Sequence, residues 1–449
     1  MRIKLDTNIS VESIIKATKG ITGLDGKISF SNITTDSREC CPGDLFIAID
    51  GENDSGENYI DNVTRIGAFA ISKKSSNGCI CVPDTVEAML QIASDYIKTL
   101  PFILYIIGIT GSVGKTTTKE FAKIILSERF IVHSNPSSYN NALGLSLSLL
   151  SAPKNSQILL MELGMNHSGE IGRLAKHLHP DMAIITNIGR AHIGNLGSRE
   201  AIAKAKLEIL SGINGGTVFV PYEEKLLCEI KEKTTFSTSE PLSDFLLSYK
   251  NNNVSLFYKG SRICTSEFAT IEKSNIECLA PAASVAYYLG LTDKEIQNGI
   301  SKISTENTRQ RMIFKQKRYF LSDLYNASPE SVIACIKNAS KLVQYPSKSL
   351  VLGDMLELGS FCEQIHYEIG QLIAQYNFNN LFLFGNKIAN IAQGAIDFGL
   401  DPGKIFINQD LSDPKRTAID ILTNCPENEL IIMKASRRIK LERILESIE

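Results

Sequence analysis

The stretch Ile109–Thr118 reads ITGSVGKTTT, and its setting decides the fold of the chain around it. An apolar run, Phe102–Ile107 (FILYII), precedes it and predicts a buried strand. Lys119–Leu126 follows and predicts the start of a helix. A glycine-rich turn between strand and helix aims backbone N–H groups at one point, where the helix N-terminus adds about half a positive charge. Such a point holds a phosphate. Gly111, Ser112 and Gly114 form the turn, Lys115 adds a mobile cation, and the Thr116 hydroxyl, with Thr117 beside it, can bind Mg²⁺. The usual phosphate loop carries a glycine six positions before its lysine; here that position is Ile109. A glycine-rich turn bearing a surface lysine is the bland alternative, but strand, glycines, Lys, Thr and helix fall in the order that ATP binding requires.

Outward from this loop the alternation continues. Apolar strands in QILLMEL and MAIITNI are separated by helical patterns, which argues a parallel sheet with helices on both faces. Residues 1–100 mix short strands (Leu45–Ile49, GAFAIS, CICV) with turns, behind an N-terminal strand and amphipathic helix. Residues 214–272 are rich in strand patterns, and a helical stretch runs over Ile276–Leu289. After Thr308 the strand–helix alternation restarts in RYFLSDLYNAS, KSLVLGDMLELG, NLFLFGN, KIFIN and ELIIMKAS. The expectation is an α/β protein of three domains. Residues 1–100 form a small mixed domain, 101–308 a central phosphate-loop ATPase domain and 309–449 a Rossmann-like domain, with a joint around Thr305 to Gln310.

With 449 residues, 43% of them hydrophobic, the chain can build several cores. A net charge of −2 and the lack of basic clusters with interleaved aromatics argue against nucleic-acid binding. No apolar run is long enough to span a bilayer, and the N-terminus lacks the pattern of a secretory leader. Ten scattered cysteines without C-x-x-C pairs predict reduced thiols in a cytoplasmic protein.

In an open parallel sheet, ligands sit beyond the carboxyl ends of the strands. Glu162 ends one strand and His192 follows another, so both are candidate Mg²⁺ ligands beside Thr116. In REAIAKAKLEIL, Ile202, Ala203, Leu207, Ile209 and Leu210 make an apolar face with Lys206 near its centre, while Lys204 and Glu208 lie opposite. Burial there depresses the lysine pKa, and a neutral amine can take up CO₂ to form an anionic carbamate; a snorkelling lysine is the alternative.

Several motifs together resemble the Mur ligases, ATP-dependent amide-forming enzymes of peptidoglycan synthesis. They are TTDSR (Thr34–Arg38), PGDLFIAIDGE (Pro42–Glu52), the ATP loop, NPSSYNNALGLSLSLL, ELGMNHSGEIGRL, TNIGRAHI, AKAKLEI, DLYNASPES and VLGDMLELG. The last two resemble the branch of the family that adds D-alanyl-D-alanine. The resemblance implies UDP-N-acetylmuramoyl-tripeptide and D-alanyl-D-alanine as substrates, ATP with two Mg²⁺, an acyl-phosphate intermediate, and a monomer. It also implies a carbamylated Lys206. Thr116 and Glu162 would serve one Mg²⁺, and His192 with Lys206 the other. Arg311 and Asp323 would approach the nucleotide, Tyr325 and Asn326 its adenine, and Ser37 and Arg38 the UDP-sugar. Asn140, Asn141, Asn166 and His167 match family motifs without individual roles. The chain departs from the family at Ser322, at Lys434-Ala435-Ser436-Arg437, at Gln310-Arg311 and in KSNIECLAPAA, where adenine recognition is expected. Two other readings remain: a related ligase such as the folate-type glutamate ligases, which lack the TTDSR and PGDLF segments, and a nucleotide-binding protein without catalysis.

Overall fold

The structure is a computed structural model that describes all residues except 52, 214, 269–272, 305–310 and 449. The expected joint at Thr305 to Gln310, with the boundary at Thr308, lies outside the described residues, as does Glu52 of the Pro42–Glu52 motif. Among the described residues there are three sheets, the architecture expected of three α/β domains. The chain divides into two compact units. One comprises Met1–Thr110, Leu126–Ile184 and Leu207–Val218, the other Gly111–Ile125, Ile185–Lys206 and Phe219–Glu449.

In the first unit, β1 (Arg2–Ser10), β2 (Ser29–Thr34), β3 (Leu45–Ile47), β4 (Phe69–Ser72) and β5 (Cys79–Cys81) make a sheet in that order, antiparallel only between β1 and β2. Then come β6 (Tyr105–Thr110), β7 (Val132–Ser134), β8 (Ile158–Glu162) and β9 (Met182–Ile185), in the order β9-β6-β8-β7. β9 runs one residue past the division. The strand leading into the phosphate loop corrects the sequence reading. Phe102 and Leu104 are 56% and 54% exposed and precede β6, whereas Ile109 and Thr110 belong to it. An apolar run records residue type, and only the sheet decides which apolar residues are covered. The reading also missed the short β7.

In the second unit the helix Lys115–Leu126 starts directly at the loop lysine, four residues earlier than Lys119. β10 (Val218–Pro221), β11 (Lys233–Ser237), β12 (Phe245–Lys250), β13 (Asn253–Tyr258) and β14 (Ser261–Glu267) lie side by side in sequence order. Asn251 and Asn252, at φ 51° and 59°, form the two-residue turn of the β12–β13 hairpin, a conformation asparagine tolerates. The last sheet contains β15 (Arg311–Lys315), β16 (Arg318–Asp323), β17 (Lys348–Gly353), β18 (Leu381–Phe384), β19 (Ile405–Asn408) and β20 (Leu430–Lys434). Its order is β15-β16-β20-β17-β18-β19, parallel except for the β15 edge. Phe320, Val351, Phe382, Phe384, Ile431 and Met433 fill its core.

All ten cysteines are free thiols. Burial pushes Cys40, Cys79 and Cys264 up to about 11 and Cys425 up to about 12, while Cys41 and Cys228 are exposed. No helix among the described residues is long and apolar enough to cross a membrane.

Candidate active site

The phosphate loop is shaped by the segment that follows β9. The Ser112 N–H donates to the Asn187 carbonyl at 3.1 Å, and the Val113 N–H to Asn187 Oδ1 at 3.0 Å. The Val113 carbonyl accepts from Thr186 Oγ1 at 2.6 Å and Asn187 Nδ2 at 3.0 Å. These two loop N–H groups therefore hold the loop in shape. Gly111 is required here: its φ is +147°, and a Cβ on it would lie 1.9 Å from Thr186 Oγ1. Lys115 Nζ donates to the Gly111 carbonyl at 2.7 Å, which folds the cation back over the loop. Thr116 is buried and Thr117 half-buried in the first turn of the helix. Sequence reasoning quoted TNIGRAHI without assigning Thr186 or Asn187; an asparagine two residues past a strand end was the available signal.

Lys206 is 1% exposed, on the helix Arg199–Leu207. Its amine is held well below the ordinary lysine range by burial first and by the Lys115 ammonium second. Among the described residues no carboxylate pairs with it. The periodicity placed Lys206 near the centre of an apolar face and left a snorkelling side chain open; the side chain is buried. Glu208 departs from the prediction, because the α-helix ends at Leu207. Instead of facing Lys204, its carboxylate caps another helix, accepting from Ser168 Oγ at 2.9 Å, the Gly169 N–H at 2.7 Å and the Gly172 N–H at 3.1 Å.

Within the second unit, the loop after β9 also meets the C-terminal residues. The Arg190 N–H donates to Glu330 Oε1 at 2.7 Å, and Arg190 Nη1 to Glu368 Oε2 at 2.8 Å. His192 has φ 64°, and its Nδ1 lies 2.6 Å from Glu357 Oε2, though not in hydrogen-bonding alignment. His192 holds the Glu357 carboxyl below its usual range, against the effect of burial. None of the three carboxylates was singled out from sequence, since each reaches the loop only through the tertiary fold.

At the carboxyl ends of the last sheet, Asp323 and Lys434 are register partners on β16 and β20, and Lys434 Nζ donates to Asp323 Oδ2 at 2.6 Å. The ammonium, 2% exposed, also donates to the Asn326 carbonyl at 3.0 Å, so it fixes the Asp323–Asn326 turn. Tyr325 is half-buried and Asn326 exposed there. Arg311 is exposed on the edge strand β15, opposite Ser322.

The remaining candidates lie in the first unit. Glu162, 2% exposed, ends β8; Asn140 Nδ2 donates to its Oε1 at 2.9 Å. Asn135 exchanges two hydrogen bonds, both 2.9 Å, with the Glu162 main chain. Asn141 caps the helix Ala142–Leu150, accepting from the Gly144 N–H at 2.8 Å. His167 is largely exposed, with Nδ1 3.4 Å from Glu170, which also accepts the Asn166 N–H at 2.7 Å. Ser37 opens a short 3₁₀ turn, and Arg38, 85% exposed, holds Asp36 through two hydrogen bonds of 2.9 and 2.7 Å.

Oxygen ligands suit Mg²⁺, which takes one or two carboxylates and completes its shell with phosphates and water. The Thr116 hydroxyl and the buried Glu162 carboxylate are each an oxygen donor of that kind. No cluster of three or more acidic, His or Cys side chains able to hold a metal occurs among the described residues.

Comparison with known proteins agrees with this geometry. Residues 109–282 match the Mur ligase middle domain. The UDP-N-acetylmuramoyl-tripeptide–D-alanyl-D-alanine ligase of Bacillus subtilis (strain 168) is 33% identical over 434 residues, covering 93% of this chain and 92% of that one. Among solved structures, MurF from Acinetobacter baumannii superposes with a TM-score of 0.87 at 28% identity, covering 99% of both chains. MurF ligase from Thermotoga maritima, in complex with ADP, gives 0.80 at 26% identity, covering 93% of this chain and 96% of that one. A nucleotide loop on a parallel sheet, a buried lysine beside it and full-length likeness to these ligases lead to one assignment: the chain belongs to the Mur ligase family, in its UDP-N-acetylmuramoyl-tripeptide–D-alanyl-D-alanine ligase branch.

Proposed function

We propose that this protein joins D-alanyl-D-alanine to UDP-N-acetylmuramoyl-tripeptide at the expense of ATP. The peptide carboxylate attacks the γ-phosphate and releases ADP; the dipeptide amine then attacks the acyl carbon and phosphate leaves. The observation that carries this reading is the full-length likeness to these ligases, together with the buried Lys206 beside Lys115. Carboxylate and triphosphate repel, so the main task is to position two anions and neutralise them. Lys115 supplies one charge. Mg²⁺, when bound, would supply further neutralisation of the negative charge. Thr116 and Glu162 are the residues we assign to one Mg²⁺, and His192 and Lys206 to the other. The depressed Lys206 amine supports carbamylation: its nitrogen lone pair attacks CO₂, the C–N bond forms, and one proton leaves to give an anionic oxygen donor. Arg311 and Asp323 are assigned to the nucleotide, Tyr325 and Asn326 to its adenine side, and Ser37 and Arg38 to the UDP-sugar. The protein acts as a monomer in the cytoplasm.

The test is ADP release with UDP-N-acetylmuramoyl-tripeptide and a panel of acceptors. A site that hydrogen-bonds a substrate group rejects an analogue lacking it by about ten-thousandfold. D-alanyl-D-alanine should be used and single D-alanine should be a very poor acceptor. Comparable rates with a single amino acid would move the protein to a sister ligase, and no ADP with any acceptor would favour a binding protein.

A further inference from the structure

We infer that Glu330 is a positioning residue that ties the C-terminal domain to the phosphate loop through Gly189, Arg190 and Ser112. The path is continuous and short. Glu330 sits in the first turn of the helix Pro329–Ser340, whose N-cap Ser328 and N1 Pro329 fix where that turn begins. Its Oε1 accepts the Arg190 N–H at 2.7 Å. One residue earlier, the Gly189 N–H donates to Ser112 Oγ at 2.8 Å, in a buried bond. Ser112 in turn is fixed by Asn187 and lies three residues before Lys115. The same peptide segment therefore receives the C-terminal helix on one residue and the phosphate loop on the next.

Three further observations set this contact apart from an ordinary surface ion pair. The principal bond goes to a main-chain N–H, so no flexible side chain of Arg190 is needed to make it. Among the described residues the second carboxylate oxygen, Oε2, is buried with no hydrogen-bond partner. An uncompensated buried oxygen costs stability and persists where the geometry serves something else. Third, Gly189 leaves room for the carboxylate: a Cβ there would lie 2.6 Å from Glu330 Cδ. Gly189 is not among the residues with positive φ, so its backbone would accept a side chain and the missing Cβ serves the close approach.

The test is nucleotide binding, measured by titration calorimetry with a non-hydrolysable ATP analogue and Mg²⁺. Because no acceptor substrate is needed, it stands whether or not the ligase assay succeeds. Glu330→Ala should weaken binding about five- to tenfold. Glu330→Gln keeps an acceptor oxygen for the Arg190 N–H and should stay within about twofold of the parent. Gly189→Ala pushes the carboxylate aside without altering it and should reproduce the alanine result. Ser112→Ala combined with Glu330→Ala should be no weaker than the weaker single variant, since both break one path. Equal losses in the Gln and Ala variants, multiplicative losses in the double variant, or parent-like binding by Gly189→Ala would each overturn the inference. Where Glu330→Ala does not fold, the Gly189→Ala and Glu330→Gln pair decides alone.

Discussion

Replacing Gly111 by alanine tests the phosphate loop at its most constrained point. The residue sits at φ +147°, and the new methyl would lie 1.9 Å from Thr186 Oγ1 and 3.1 Å from the Thr186 nitrogen. Holding a side chain in that backbone region costs about 1–3 kcal/mol. Moving the Thr186 hydroxyl away breaks its bond to the Val113 carbonyl, worth about 1 kcal/mol. The sum, about 2–4 kcal/mol, falls on the conformation that receives phosphate. At about 1.4 kcal/mol per tenfold, ADP affinity should drop by at least about thirtyfold. Calorimetric titration with ADP and Mg²⁺ reads this directly, and a thermal melt shows whether the rest of the protein is intact. Thr186→Ala removes the hydroxyl that the methyl would strike. The double variant should therefore bind ADP no worse than Gly111→Ala alone. ADP binding by Gly111→Ala within threefold of the parent would refute the reasoning.

Lys115→Ala should lower ADP-forming turnover by at least roughly a hundredfold, the loss typical when one preorganised charge stabiliser is removed, measured at saturating ATP. Lys206→Ala should be nearly inactive and partly restored by a small added carboxylate; activity equal to the parent's in CO₂-depleted buffer would exclude a carbamate. Glu429, fully buried with Oε1 on Ser349 Oγ, has its pKa raised by burial. A raised folded-state pKa gives stability that is complete below the unfolded value, about 4.3, and is lost as pH rises through the folded value. Between pH 5 and 8 the parent's thermal midpoint should accordingly fall relative to that of Glu429→Gln, and parallel profiles would disprove it.

Local chemistry was legible in the sequence, and long-range chemistry was not. The ATP loop could be read because strand, turn and helix are consecutive; helical spacing put Lys206 on an apolar face but could not tell a buried amine from a snorkelling one. The restart of alternating strands after Thr308 likewise announced the last parallel sheet. The start of β6 was misplaced because Phe102 and Leu104 are apolar yet uncovered. Glu208 was misread because periodicity cannot show that the α-helix stops at Leu207. The contacts of Glu330, Glu357 and Glu368 were illegible for a different reason, although the first two lie inside DLYNASPES and VLGDMLELG: each meets the 190–194 loop across more than 130 residues of chain. Asn141 illustrates the converse case, a motif residue whose visible work is to cap a helix.

The distribution of thiols offers a practical handle. Alkylating reagents react with the thiolate, so cysteines whose proton is held to about 11 or 12 are slow to modify at neutral pH. Cys41 and Cys228 are the exposed ones, and they fall in different compact units of the chain. With the half-buried Cys81 and Cys362 replaced by serine, brief labelling with a maleimide dye pair would therefore mark one position in each unit. Energy transfer between the two dyes, followed as nucleotide and UDP-sugar peptide are added, would turn two native cysteines into a ruler for motion during turnover.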